Sequence, residues 1–185
     1  LASLMDNMLE LSQLVSSELP LPVESTDVYG LCVEEMAKLK ETLSKPNIEC
    51  IITGDKDGMT AQTNAFYLSR VIGNLLSNSA KFTESGTITL TCNIDKEKGQ
   101  LVISVTDTGK GIKAEEITTI WERYYRSSQA HKRPVKGTGL GLSIVKTILE
   151  KHNFRFGVES VVGKGSTFYV LFPAWQIPAL EEEKA

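Results

Sequence analysis

What most restricts the fold of this chain is the run from Asp107 to Leu142. It is rich in polar residues and carries Gly109, Gly111, Gly137, Gly139 and Gly141. A long stretch with little regular structure is uncommon inside a compact domain and usually serves function. The segments on both sides read as ordinary helices and strands. The run is therefore expected to be a loop system held by a packed frame.

Upstream, Leu1, Leu4, Met8, Leu11 and Val15 recur at alternating spacings of three and four. That is the a/d stripe of a bundle or coiled-coil helix, or of an amphipathic helix packed on its own domain. Pro20 and Pro22 end it. A short extended piece follows at 23–26, and Asp27 is placed to cap a helix over 27–44. Residues 47–53 read as a strand and 55–58 as a turn. A second helix is expected over 64–82, with Val71, Leu75, Ser79 and Phe82 near one face and Leu68, Ile72 and Leu76 beside it. Strands at 87–93 and 101–106, joined by a polar turn ending at Gly99, form a hairpin. After the glycine-rich run come a helix over 141–152 and strands at 154–160 and 166–172. This order implies an α+β fold, a two-layer sandwich with a mixed, mostly antiparallel sheet covered by helices on one face. The divisions expected are 1–19 as a bundle segment, 20–173 as the main domain and 174–185 as a solvated tail.

Composition narrows the function. Of 185 residues, 41% are hydrophobic and 23% charged, which suits a globular domain with a core large enough to need no disulfide or metal staple. The net charge of −3 gives no basic footprint for nucleic acid. Cys32, Cys50 and Cys92 fit no zinc or redox spacing. No apolar run is long enough to span a bilayer. The chain opens at Leu1 without an initiator methionine and reads as an excerpt of a longer protein, so a membrane-bound parent is compatible with it.

Three motifs carry chemistry. Asn74 and Asn78 lie four apart on a helix, with Lys81 on the adjoining turn. Amide oxygens suit Mg²⁺ and the lysine suits a phosphate, although two asparagines on a helix are also what a solvated face looks like. Asp107-Thr108-Gly109-Lys110-Gly111-Ile112 follows a strand: the glycines let backbone approach a flat ligand, and the carboxylate can accept from an exocyclic amine. Gly137-Thr138-Gly139-Leu140-Gly141-Leu142 opens a helix and bares N–H groups for an anion. It is neither the dinucleotide fingerprint nor a Walker loop. Between the last two lie Trp121-Glu122-Arg123-Tyr124-Tyr125-Arg126 and a basic stretch, 127–136, with His131, Lys132, Arg133 and Lys136. Such a segment could serve as a nucleotide lid or as a solvated loop.

In order and spacing, these segments closely resemble the N, G1, F and G2 boxes of sensor histidine kinases, members of the gyrase–Hsp90–histidine kinase–MutL superfamily with the Bergerat fold. The resemblance runs to Pro173 and includes Gly163-Lys164-Gly165-Ser166-Thr167-Phe168. It implies ATP and Mg²⁺ as cofactors. Asn78 would coordinate the metal with Asn74 assisting, Lys81 would contact a phosphate, and Phe82 and Ile112 would help line the adenine pocket. Asp107 would read the adenine amine, with Gly109 and Gly111 giving the base room. Tyr125 and Arg126 would lie near the nucleotide, Arg126 facing the transferring phosphoryl group. Lys136, Gly137, Thr138, Gly139, Leu140, Gly141 and Leu142 would shape the lid and its phosphate contacts, and Thr167 would stand on the adenine side. Asn74, Lys81 and Arg126 would be the catalytic residues.

The sequence departs from the family pattern at Ser79, where alanine is usual, and at Trp121 and Tyr124, where phenylalanine is usual. Asn153-Phe154 replaces two glycines. Phe cannot adopt a left-handed conformation cheaply, so an altered turn is expected there.

The activity implied is transfer of the γ-phosphoryl group of ATP to a histidine on a preceding helical hairpin, then relay to a response-regulator aspartate. Residues 1–19 would be the end of that hairpin's second helix. Neither His131 nor His152 matches the phosphoacceptor motif, so autophosphorylation is not expected from this stretch alone. The implied partners are the protein's own dimerisation and phosphoacceptor domain and a receiver domain. The parent would be a homodimer anchored in the membrane with this domain in the cytoplasm, the isolated stretch able to stand as a monomer. Three alternatives are a gyrase- or chaperone-type ATP hydrolase, a degenerate nucleotide- or partner-binding module, and a serine kinase of the mitochondrial type. The first has a glutamate base where Asn74 stands, and an amide cannot act as a base. The heptad helix leading into the domain favours the histidine-kinase branch over the last.

Overall fold

A computed structural model describes residues 2–16, 21–56, 59–95, 97–125 and 138–173. The sheet is built from β2 (Ile48–Gly54), β4 (Gly86–Asp95), β5 (Gln100–Asp107), β6 (Arg155–Val161) and β7 (Gly165–Leu171), in the order β2-β4-β5-β7-β6. β2 pairs with β4 in parallel, and every other neighbour is antiparallel. A separate two-stranded ribbon joins β1 (Glu24–Asp27) to β3 (Thr60–Thr63). The helices are α1 (Ala2–Ser16), α2 (Val28–Thr42), α3 (Ala65–Phe82) and α4 (Gly141–Lys151).

Strict alternation sets the two faces of the sheet. Ile88, Leu90 and Cys92 of β4, Leu101, Ile103 and Val105 of β5, and Phe168 and Val170 of β7 are buried. They pack with Val28, Cys32 and Met36 of α2, Leu68, Val71, Ile72, Leu75 and Leu76 of α3, and Ile144, Val145, Ile148 and Leu149 of α4. Each such side chain removed from water contributes about 1.5–3 kcal/mol. The intervening residues, among them Thr87, Thr89, Thr91, Ser104, Thr106 and Tyr169, are half-buried on the other face. The two-layer sandwich with helices on one face is the architecture expected.

The helix ends follow local chemistry. Asp27 caps α2 by accepting from the Gly30 N–H at 2.9 Å, and Asn64 caps α3 by accepting from Tyr67 at 3.1 Å. At the other end of α3, the Lys45 ammonium donates to the carbonyls of Thr83 (2.7 Å), Ala80 (2.8 Å) and Lys81 (3.4 Å).

Asn153 departs from the altered turn expected. It alone takes the left-handed conformation, φ 56°. Its N–H bonds the Glu150 carbonyl at 3.0 Å, and the Phe154 N–H bonds that of Leu149 at 2.9 Å. This is an ordinary Schellman ending. Phe154 needs no left-handed backbone; it leads into β6 and buries its ring against Phe172, with centroids 4.4 Å apart.

On α1, Leu11 and Leu14 are buried and the helix packs on α4, while Met5, Met8, Leu9 and Val15 are exposed. The domain-facing pair is thus spaced three apart, and only Leu11 belongs to the stripe read from the sequence. No helix among the described residues is long and apolar enough to cross a membrane. The tail 174–185 lies outside the described residues.

Candidate functional site

Along β5 the core-facing positions run Leu101, Ile103, Val105 and then Asp107. The alternation that buries three aliphatic side chains therefore aims a carboxylate beneath the helical layer, where it is 5% exposed. Across from it, α3 breaks its own apolar stripe with Ser79, which is 1% exposed. The Ser79 hydroxyl donates to Asp107 Oδ2 at 3.1 Å, and the Gly109 N–H donates to Oδ1 at 2.9 Å. Burial pushes the Asp107 carboxyl above its ordinary value, against the downward pull of Gly109, Ser79 and the Ser166 backbone.

The loop after Asp107 is fixed on two sides. A Cβ on Gly109 would lie 2.5 Å from the Phe82 carbonyl oxygen, and the Lys110 N–H bonds that same oxygen at 3.3 Å. Gly111 has φ +70°, and a Cβ there would lie 2.1 Å from the Val161 carbonyl. Only glycine meets both demands. Ile112 N–H donates to Ser160 Oγ at 2.8 Å, tying the loop to the β6–β7 turn. The Lys110 ammonium lies 4.7 Å from the centre of the Phe82 ring.

α3 also carries Asn74, Asn78 and Lys81, and of these Asn74 lies beside the start of α4. The Asn74 Oδ1 lies 3.4 Å from where a Gly141 side chain would begin, and its buried Nδ2 has no partner among the described residues. An orphaned buried amide is costly unless a ligand or water completes it. Beside it, α4 begins at Gly141 with no side-chain cap among the described residues, an arrangement suited to an anion at its first N–H groups. Thr138 Oγ1 accepts from the Leu140 N–H at 3.3 Å, Leu140 is fully buried, and Leu142 is half-buried against the core. Asn78 is half-buried, and Lys81 is exposed, although the surrounding protein holds its ammonium below the ordinary lysine value by desolvation.

The aromatic segment docks on the glycine box. Trp121 packs edge-on against Phe156 and Phe168, at 5.1 and 5.8 Å. Tyr124 takes φ 61°, rare for a bulky residue, and its N–H bonds the Gly139 carbonyl at 3.0 Å. Gly139, at φ +71°, leaves room for it, since a Cβ there would lie 3.0 Å from Tyr124 Cα. Tyr125 packs half-buried on the core.

Phe82, Asp107 and Gly109 thus meet at the end of α3, Gly111 and Ile112 rest against β6, and Asn74 lies beside Gly141 at the start of α4; Asn78 and Lys81 share α3 with them. Thr167 does not join them. Its hydroxyl pairs with Thr106 at 3.0 Å on the opposite sheet face. The neighbour aligned with Asp107 is Ser166, buried at 7% and missed in the sequence reading. Arg126, the lid 127–136 with Lys136, and Gly137 lie outside the described residues. Among the described residues no group of three or more His, Cys, Asp or Glu could hold a metal ion. A cation here would therefore rest on amide oxygens and a ligand's own oxygens.

The profile of the family described as histidine kinase-, DNA gyrase B-, and HSP90-like ATPase matches residues 63–176. The sensor-like histidine kinase SenX3 of Mycolicibacterium smegmatis is 32% identical over 96% of this chain and 46% of its own length. The sensor protein SrrB of Staphylococcus aureus is 33% identical over 94% of this chain and 31% of its own. The chain thus spans less than half the length of these curated relatives. Among solved structures, full-length ShkA in complex with AMPPNP superimposes with a TM-score of 0.81 at 25% identity, covering 92% of this chain and 35% of that one.

Proposed function

The chain belongs to the histidine kinase-, DNA gyrase B-, and HSP90-like ATPase family, and from that premise we propose that it is the ATP-binding catalytic domain of a two-component sensor histidine kinase. The γ-phosphoryl group of ATP would pass to a histidine on a helical domain preceding this one, and then to an aspartate of a response regulator. The observation that carries the reading is the pair of unlike ends on α3. One end abuts a buried carboxylate suited to an amine-bearing base. Earlier on the same helix Asn74, whose amide nitrogen has no partner among the described residues, lies beside the side-chain-uncapped start of α4, an arrangement suited to phosphates. A nucleotide has the same two ends.

Asp107 binds the base edge as an acceptor, and the first N–H groups of α4 hold phosphate oxygens. Lys81, on the last turn of α3, would reach a phosphate with its ammonium. Mg²⁺, held by the amide oxygens of Asn78 and Asn74, would neutralise phosphate charge when bound. Arg126 would face the transferring group. The protein's share of such a reaction is positioning and electrostatics around a loose transition state. The parent would be a membrane-anchored homodimer, with this domain on the cytoplasmic side. His152 cannot be the acceptor: its ring is buried, with Nδ1 2.8 Å from the Ile148 carbonyl.

The test is transfer in trans. The chain is mixed with γ-labelled ATP, Mg²⁺ and the separately produced helical hairpin that precedes it in the parent. Label on the hairpin that is lost in acid and kept in base, as phosphohistidine chemistry requires, is the expected result. Free phosphate with an unlabelled hairpin would favour the hydrolase reading instead.

A further inference from the structure

We propose that Ser79 is a specificity-determining residue for the nucleotide base, one that leaves the pocket floor able only to accept hydrogen bonds. The inference rests on reading Asp107 as the group that meets the base. Ser79 spends its only proton on Asp107 Oδ2, at 3.1 Å. Oδ1 is held by the Gly109 N–H at 2.9 Å, which leaves the carboxylate little freedom to turn. Both side chains are buried, so water does not compete for these bonds. What remains on the hydroxyl and on Oδ2 is lone pairs. A base edge carrying an amine meets acceptors and is bound; an edge carrying a carbonyl in the same place meets like dipoles and is rejected. Specificity of this kind comes from polar groups that the wrong ligand leaves unpaired.

Ser79 lies on α3 one residue after Asn78, and Asp107 lies at the end of β5. The bond therefore links the phosphate-facing helix to the base-facing strand. Removing the hydroxyl would strip Oδ2 of its donor and leave space for a water. Water can turn and donate, so the floor would then tolerate a carbonyl. A serine that merely filled space would not have this effect.

The test is calorimetric titration of ADP and of IDP, which differ by amine against carbonyl at the base 6-position, with Mg²⁺, into the parent chain and three variants. Asp107→Asn should erase the ADP preference. Ser79→Ala should lower the ADP/IDP affinity ratio about tenfold, with part of the change a gain in IDP affinity. Ser79→Thr, which keeps the donor, should keep the ratio. If Asp107→Asn erases the preference and Ser79→Ala keeps it, Ser79 is packing only and the inference fails while the reading of Asp107 stands. If Asp107→Asn keeps the preference, the reading of Asp107 fails and the inference with it. Equal weakening of both nucleotides by Ser79→Ala would assign its effect to folding and overturn the inference.

Discussion

Asn78 sits on the half-buried flank of α3, one turn beyond the orphaned amide of Asn74. Asn78→Ala removes the amide oxygen proposed to hold Mg²⁺ without opening the core. It should weaken binding of a Mg²⁺–ATP analogue by roughly 1.5–3 kcal/mol, about 10- to 150-fold, with the thermal midpoint nearly unchanged. Equal affinity in a titration would remove Asn78 from the site. His152 makes a different prediction. Burial lowers its pKa below the ordinary 6.5, against the raising pull of its bond to Ile148, and Nε2 has no partner among the described residues. Above pH 6.5 neither state is protonated there. Below it the unfolded chain takes up the proton first, so stability falls as pH drops toward the folded value. Asp107 acts with the opposite sign in the lower carboxylate range, because its folded value is raised. Urea midpoints at pH 7.5 and 5.5 should therefore differ more for the parent than for His152→Leu. Asp107 was legible in the sequence because it closes an alternating strand. That Ser166, and not Thr167, lies beside Asp107 was not, because a one-residue shift of phase moves a side chain to the other face and only the pairing with β5 fixes that phase.

At the scale of elements, the ends of the helices are where single residues decide most. Asn153 supplies the left-handed turn that closes α4. Asn153→Ala should cost about 1 kcal/mol, and Asn153→Gly should cost nothing or stabilise slightly; thermal melts of both decide it. Lys45 clamps three carbonyls at the end of α3, the element that carries Asn74 through Phe82. Lys45→Ala should lower stability by about 1 kcal/mol, read as a shift in urea midpoint, and should loosen the turn at Thr83. Both hairpins and all four helices were readable because local pattern dictates them. β3 was not: Thr60-Ala61-Gln62-Thr63 is short and polar, and it becomes a strand only by pairing with β1. Nor could periodicity show that β2 lies parallel to β4 across α3, since that register comes from packing the helix between them. The short 3-10 turns at Ala114–Glu116 and Thr119–Trp121 likewise lie within a stretch with no period to read.

For the whole molecule, the sandwich sets the buried Asp107 carboxylate against Ser79 and the start of α4 beside Asn74, both on one long helix, α3. The open sheet face, with its Thr106–Thr167 pair, stands apart from both. α1 joins the domain through Leu11 and Leu14 while leaving Met5, Met8, Leu9 and Val15 exposed. The central claim is that the site between α3, α4 and the loop after β5 binds ATP through its adenine and its phosphates together. The most direct measurement is a calorimetric titration of the chain with non-hydrolysable ATP and GTP analogues in the presence of Mg²⁺. Saturable one-to-one binding of the ATP analogue, with the GTP analogue at least tenfold weaker, is the predicted result. No saturable binding of the ATP analogue, or equal affinity for both, would contradict the account.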